Sequence, residues 1–158
     1  DGFTINAKYS IMHQKDNTEE EKRAWSVVEG LIDEFKSADK YIFSVPMWNF
    51  GVPYRFKQYV DILTQPGYTF GVDEDGYEGL VTGKSALLAL ARGGDYSNPD
   101  AETQVDHQKS YLQLWLGFIG ITDVKTVIAQ PTLAAGPEVA EEKVAQAIEE
   151  IKEIARIF

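Results

Sequence analysis

An open, doubly wound α/β domain on a parallel sheet is what this sequence predicts. Three short runs, residues 41–46, 84–91 and 124–129, are apolar without strict alternation, as strands covered by helices on both faces must be. Longer segments between and around them repeat apolar residues at helical spacing, which gives a three-layer α/β/α arrangement. Turn-forming residues cluster where the first two strands end, and ligands of open α/β sheets bind outside the carboxyl ends of the strands.

In chain order, Thr18-Glu19-Glu20-Glu21 has the pattern of a capping box, in which the threonine hydroxyl and the glutamate three residues on satisfy each other's backbone N–H groups. Trp25, Val28, Leu31, Ile32 and Phe35 then recur on one helical face, which is core. The first strand follows and Pro46 ends it. Pro53 opens a second helix over 53–63, since proline suits a first helical turn, and Phe56, Tyr59, Val60 and Leu63 face the sheet. Residues 64–83, rich in glycine and acidic side chains, form a protruding hairpin or excursion. After the second strand, a third helix near 105–118 carries Tyr111, Leu112, Leu114, Trp115 and Phe118, more aromatic surface than one sheet face needs. The third strand leads to Pro137 and a last helix presenting Val144, Ile148, Ile151, Ala155 and Phe158, its charged face from Glu141 to Lys152 solvated. Three strands are few, since a doubly wound sheet of this type usually has about five, and one edge is then bare and open to pairing.

The loops after the first two strands carry the chemistry. Asn49 offers an amide that both donates and accepts, Phe50 can wall an apolar slot, and Gly51 lets backbone approach a ligand closely. These groups suit a flat polar ring such as a flavin, although an ordinary strand-to-helix turn would read the same way. The second loop, Arg92-Gly93-Gly94-Asp95-Tyr96, exposes backbone N–H groups that can bind ring carbonyls or anions. A lone Gly-Gly is usually just a turn, but this one follows the next strand, at the same edge of the same sheet.

Composition fits one domain spanning 1–158. The chain has 158 residues, 44% of them hydrophobic, enough to bury a core, and it has no apolar run long enough to span a bilayer. With no cysteine, disulfides and thiolate chemistry are excluded. A net charge of −10 from 15 basic and 25 acidic residues argues against nucleic acid as a partner. His13 and His107 stand far apart without a Glu or His at ligand spacing, so no metal site is assigned, and His107 is expected at the surface.

Several motifs in one order resemble the FMN-dependent NADH-azoreductases, also described as NADH:quinone reductases, of the flavodoxin-like superfamily. The family pattern P-M-Y/W-N-F followed by P-x-x-x-K-x-Y-x-D stands here as Pro46, Met47, Trp48, Asn49 and Phe50, then Pro53, Lys57, Tyr59 and Asp61. Its S-R-G-G loop is Ala91-Arg92-Gly93-Gly94. Further matches are Tyr68-Thr69-Phe70, the run 77–84 and the run 116–124. Two departures stand out: Ala91 replaces the family's loop serine, and no serine-rich, phosphate-binding loop is found. Residues 1–12 instead resemble the stretch that follows the family's second strand, so the resemblance identifies an N-terminally incomplete member.

The resemblance implies a flavodoxin-like sheet whose first one or two strands are missing from this chain. It implies FMN held by Pro46, Met47, Trp48, Asn49, Phe50, Ala91, Arg92, Gly93, Gly94 and Tyr96, with NADH as hydride donor and a quinone or azo compound as acceptor in ping-pong order. It implies no catalytic side chain, because the flavin N5 carries the hydride and the protein supplies orientation and electrostatics. Phe70 and Phe118 match positions lining the substrate pocket, and core or interface packing is their other reading. Lys57 and Asp61 are expected in helix-surface ion pairing or dimer contacts. Arg92 either braces the loop, contacts phosphate, or sits in a salt bridge. A homodimer with flavin sites at its interface and a cytoplasmic setting complete the expectation. Two alternatives stay open: a flavodoxin-like electron carrier, or an inactive or protein-interaction form whose FMN affinity falls without a phosphate loop.

Overall fold

The computed structural model describes residues 17–74 and 76–158; the stretch 1–12 and His13 lie outside them. Helix α1 (Glu19–Ser37) begins at the expected capping box: the Glu21 N–H donates to Thr18 Oγ1 at 3.3 Å, and the Thr18 N–H donates to the Glu21 carboxylate at 2.8 Å. It buries Trp25, Val28, Ile32 and Phe35. Strand β1 (Lys40–Pro46) runs parallel to β4 (Ser85–Ala91), which runs parallel to β5 (Asp123–Ala129), in the order β1-β4-β5. Val45 is level with Leu90, and Leu90 with Ile128. The expected strands therefore lie within a residue of their predicted limits, and among the described residues β1 has no strand on its other edge.

Alternation along β4 divides the core. Ala86, Leu88 and Leu90 join Tyr41 and Val45 against α1, α2 (Tyr54–Leu63) and α4 (Lys109–Ile119), whereas Leu87 and Val127 meet Ala147 of α5 (Pro137–Ala155). The first face is aromatic: Phe35 stacks on Tyr41 at 4.5 Å between ring centroids, and Phe43 meets Phe56 and Trp115 edge-on. The second face is thinly covered, and Ile42 on β1 is 71% exposed. This explains a difference at α5: Val144 and Ile148 overhang an open cleft beside Ser44 and Ala89 and stay exposed, while Ala147, Ile151, Ile154 and Phe158 make the packing.

Other differences are local. Pro53 occupies the cap position of α2 and lies outside its first turn. A short helix α3 (Pro99–Gln104) precedes α4, too short to leave a periodic pattern. Helix α4 starts at Lys109 and not near Val105, because Asp106 halts the chain there: its Oδ1 accepts the N–H groups of Gln108 and Lys109, both at 3.0 Å, as a cap does. Gly120 ends α4 with φ of 103°.

The expected excursion is a hairpin of β2 (Phe70–Asp73) and antiparallel β3 (Gly76–Gly79). It is docked on the end of α4, where the Val81 N–H donates to the Ile119 carbonyl at 2.8 Å. Gly79 lies so close that a Cβ there would stand 2.2 Å from the Gly120 nitrogen. Only glycine permits this approach.

Candidate functional site

Adjacent parallel strands β1 and β4 release their chains at one edge of the sheet. The Met47 N–H donates to the Ala91 carbonyl at 2.8 Å and makes the last link between them. Immediately after it, Trp48 and Gly51 exchange both backbone hydrogen bonds at 3.0 Å, which closes a two-residue turn over Asn49 (φ 47°) and Phe50 (φ 70°). Positive φ at both central residues is the type I′ signature. Asparagine tolerates it, but phenylalanine does not, and such a conformation costs about 1–3 kcal/mol. On this turn Trp48 and Phe50 stand half-exposed and Asn49 is exposed. Among the described residues the Asn49 amide has no hydrogen-bond partner.

The second loop is fixed by its carbonyls. Arg92 O accepts from the Thr132 N–H and hydroxyl, both at 2.9 Å, and Gly93 O accepts from Leu133 N at 3.1 Å and Ala134 N at 2.9 Å. The N–H groups of Gly93 and Gly94 meet no acceptor among the described residues. A Cβ at Gly94 would press to 3.3 Å from the Tyr96 ring. That ring meets Phe50 edge-on at 6.4 Å and 87°, so the two loops face each other.

Among the described residues Arg92 is the largest fully buried side chain. It forms an ion pair with Asp106 at 2.5 Å, each side chain only 1% exposed. Its Nε donates to Gln108 Oε1 at 3.0 Å and an Nη donates to Gln130 Oε1 at 3.3 Å. All three groups of the guanidinium are therefore engaged inside the protein, which favours the brace and the salt bridge over phosphate contact. Asp106 and Gln108 were not singled out from sequence; an aspartate shortly before an apolar helical run was the signal that could have found Asp106. His107 is exposed, as expected, and its backbone N–H is shared between the Phe50 and Val105 carbonyls, both at 3.0 Å.

A surface cleft of about 430 Å³ opens beside the turn, lined by Gly51, Val52, Lys57, His107, Tyr111 and Leu114. Tyr111 and Leu114 also line a second cleft of about 280 Å³ that reaches Trp115 and Phe118. Lys57 pairs with Asp61, as expected of this helix face, and its ammonium lies 6.0 Å from the Tyr111 ring centroid. Burial pulls Lys57 down, but Asp61 and Tyr111 outweigh it and hold its pKa above the usual lysine value. Burial pushes the Tyr111 phenol up. Phe118 meets Phe70 at 4.8 Å and Tyr77 at 5.5 Å. The hairpin thus joins the two expected pocket residues and adds Tyr77 to them.

A family model described as a flavodoxin-like fold matches residues 3–155. An FMN-dependent NADH:quinone oxidoreductase 9 of Burkholderia lata is 35% identical over all of this chain and 76% of its own length. This chain belongs to the flavodoxin-like FMN-dependent NADH:quinone oxidoreductase family. Another member of that family, from Nitratidesulfovibrio vulgaris, is 48% identical over 138 residues, covering 87% of this chain and 66% of the relative. The chain thus spans slightly under two thirds of that relative, and 63% of another from Desulfotalea psychrophila. Among solved structures, an azoreductase from Bacillus anthracis is 33% identical with a TM-score of 0.86 over 99% of this chain and 74% of the other. An FMN-dependent NADH-azoreductase from the same species, in complex with FMN, is 30% identical with a TM-score of 0.82 over 98% and 74%. No described helix of this family member is long and apolar enough to cross a membrane.

Proposed function

We propose that this chain acts as an FMN-dependent oxidoreductase that takes hydride from NADH and delivers it to quinones and azo compounds in ping-pong order. The observation that carries the reading is the strained Asn49–Phe50 turn facing the Gly93–Gly94 loop, with the Asn49 amide and both glycine N–H groups unpaired among the described residues. A flat ring edged with carbonyls and ring nitrogens is what this donor set fits. FMN, when bound, supplies the hydride chemistry; the chain's own groups bind, orient and shield.

In this reading Pro46, Met47, Trp48, Asn49 and Phe50 form one wall and Ala91, Arg92, Gly93, Gly94 and Tyr96 the other. Arg92 acts through its backbone and as a brace. The Asn49 amide and the two glycine N–H groups are preorganised donors that favour negative charge on the reduced ring. Phe70 and Phe118, with Tyr77, stack flat aromatic acceptors. Leu114, 72% exposed in an apolar cleft, marks α4 as a homodimer surface. The setting is the cytoplasm, where metabolism supplies NADH. An electron carrier would shield its flavin edge from bulky acceptors, and the half-exposed Trp48 and Phe50 favour the enzyme over it.

The deciding experiment titrates FMN into the purified chain by visible absorbance and then follows NADH oxidation with a quinone and with an azo dye. Flavin retention with acceptor-dependent turnover supports the proposal. Retention without turnover favours the carrier, and no retention sinks both.

A further inference from the structure

Three successive residues, Asp106, His107 and Gln108, each grip a different part of the candidate site. Asp106 holds Arg92 at the head of the second loop, and the His107 N–H holds the Phe50 carbonyl in the first. Gln108 joins the two strands directly. Its Oε1 accepts from Arg92 Nε at 3.0 Å and its Nε2 donates to the Val45 carbonyl at 2.9 Å, with the side chain fully buried. Val45 lies at the end of β1 and Arg92 follows β4, so one amide spans the mouths of neighbouring strands.

No other side-chain type of this length satisfies both contacts. A glutamate ionised beside Arg92 would present an acceptor to the Val45 carbonyl, a lysine a donor to the guanidinium, and a methionine neither donor nor strong acceptor. The amide alone offers one of each, and both of its partners are buried where an unmet group is costly.

We infer that Gln108 is a positioning residue that sets the spacing between the Asn49–Phe50 turn and the Gly93–Gly94 loop. The inference rests on the flavin reading above and deepens it. Donors on two loops can address one rigid ring together only if their separation is held to within about 0.5 Å. Gln108 touches neither ring nor substrate and acts through Val45 and Arg92.

The test compares the wild-type chain with Gln108→Met, which loses both contacts, and Gln108→Glu, which keeps the acceptor for Arg92 and loses the donor to Val45. Amide hydrogen exchange without added ligand is expected to quicken at least tenfold at Met47 and His107 in Gln108→Met, with β5 amides such as Val127 unchanged. In FMN-loaded protein the midpoint potential of the bound flavin is expected to fall by about 30 mV, the two-electron equivalent of a tenfold loss of preference for the reduced form. A merely structural glutamine would lower stability without moving that potential. A wild-type potential, or wild-type exchange at Met47 and His107, would overturn the inference. If Gln108→Met does not fold, Gln108→Glu decides by the same two readouts: quickened exchange at Met47 with a lowered potential supports the inference, and an unchanged value of either overturns it. If the wild-type chain binds no FMN, the proposed function falls, and the exchange comparison still decides whether Gln108 couples the loops.

Discussion

The carbonyl of Phe50, a residue held at φ of 70°, accepts the His107 N–H at 3.0 Å. The strained turn is therefore tied from outside, by a segment that Asp106 caps and Arg92 anchors. Strain of this kind persists where surrounding structure over-determines it.

Replacing Phe50 with glycine should separate fold from function. Glycine adopts positive φ without penalty, and the ring is 50% exposed, so little burial is lost. The Phe50→Gly chain is expected to melt at or slightly above the wild-type temperature while FMN affinity falls at least about tenfold, equivalent to about 1.4 kcal/mol. Thermal melts and a flavin titration check the two halves.

The Arg92–Asp106 pair gives a double-mutant cycle. Arg92→Met leaves a buried carboxylate uncompensated, and losing one partner of a buried pair costs about 3–5 kcal/mol. Adding Asp106→Leu is expected to recover part of that loss, although the Gln108 and Lys109 N–H groups lose their cap. Urea denaturation measures the coupling; additive losses would show the pair to be energetically idle.

At Gly79 a methyl group would meet backbone, 2.2 Å from Gly120 N and 2.5 Å from Ile119 C. The hairpin must then shift. Gly79→Ala is expected to destabilise by about 1–3 kcal/mol, as overpacking does, and to raise KM for a quinone more than it lowers kcat, because the shift displaces Phe70 and Tyr77 from Phe118.

How much of this was legible follows from where each signal lives. Strands β1, β4 and β5 were readable as short apolar runs closed by turn residues, although β1 is covered on one face only and Ile42 stays exposed on the other, and the capping box at Thr18 was readable because it is local. The start of α4 was missed because Asp106, His107 and Gln108 also fit a helical pattern, although an aspartate ahead of an apolar run was the local sign of the cap it forms with the Gln108 and Lys109 N–H groups. The two loops were found by residue type, but the φ of Phe50 was hidden: an aromatic residue gives no sign that it will accept a left-handed conformation. Phe70 and Phe118 were named by resemblance, and only the docked hairpin shows them touching.

The tyrosines give a pH prediction. Burial raises the pKa of Tyr41, Tyr59 and Tyr111 above the ordinary value of 10.0, and Tyr41 also donates to the Phe35 carbonyl at 2.7 Å. The folded state then prefers the protonated phenol, so this contribution is fully present below the unfolded pKa and is lost as pH rises above it. Stability is expected to hold from neutral pH to about 9 and to fall beyond 10. Melting temperatures across that range, with phenolate absorbance followed in parallel, check it.

Leu114 tests the dimer. It is 72% exposed on α4 and lines both clefts, so in a lone chain its replacement should change stability by less than about 0.5 kcal/mol. In a homodimer packed on α4 the same replacement by aspartate buries an unpaired charge among apolar groups, which costs several kcal/mol. Leu114→Asp is therefore expected to leave the far-UV spectrum unchanged while shifting sedimentation toward the monomer. Turnover should fall with it if the neighbouring protomer completes the acceptor pocket beside Phe118. A variant that sediments and turns over like wild type would overturn a homodimer packed on this groove.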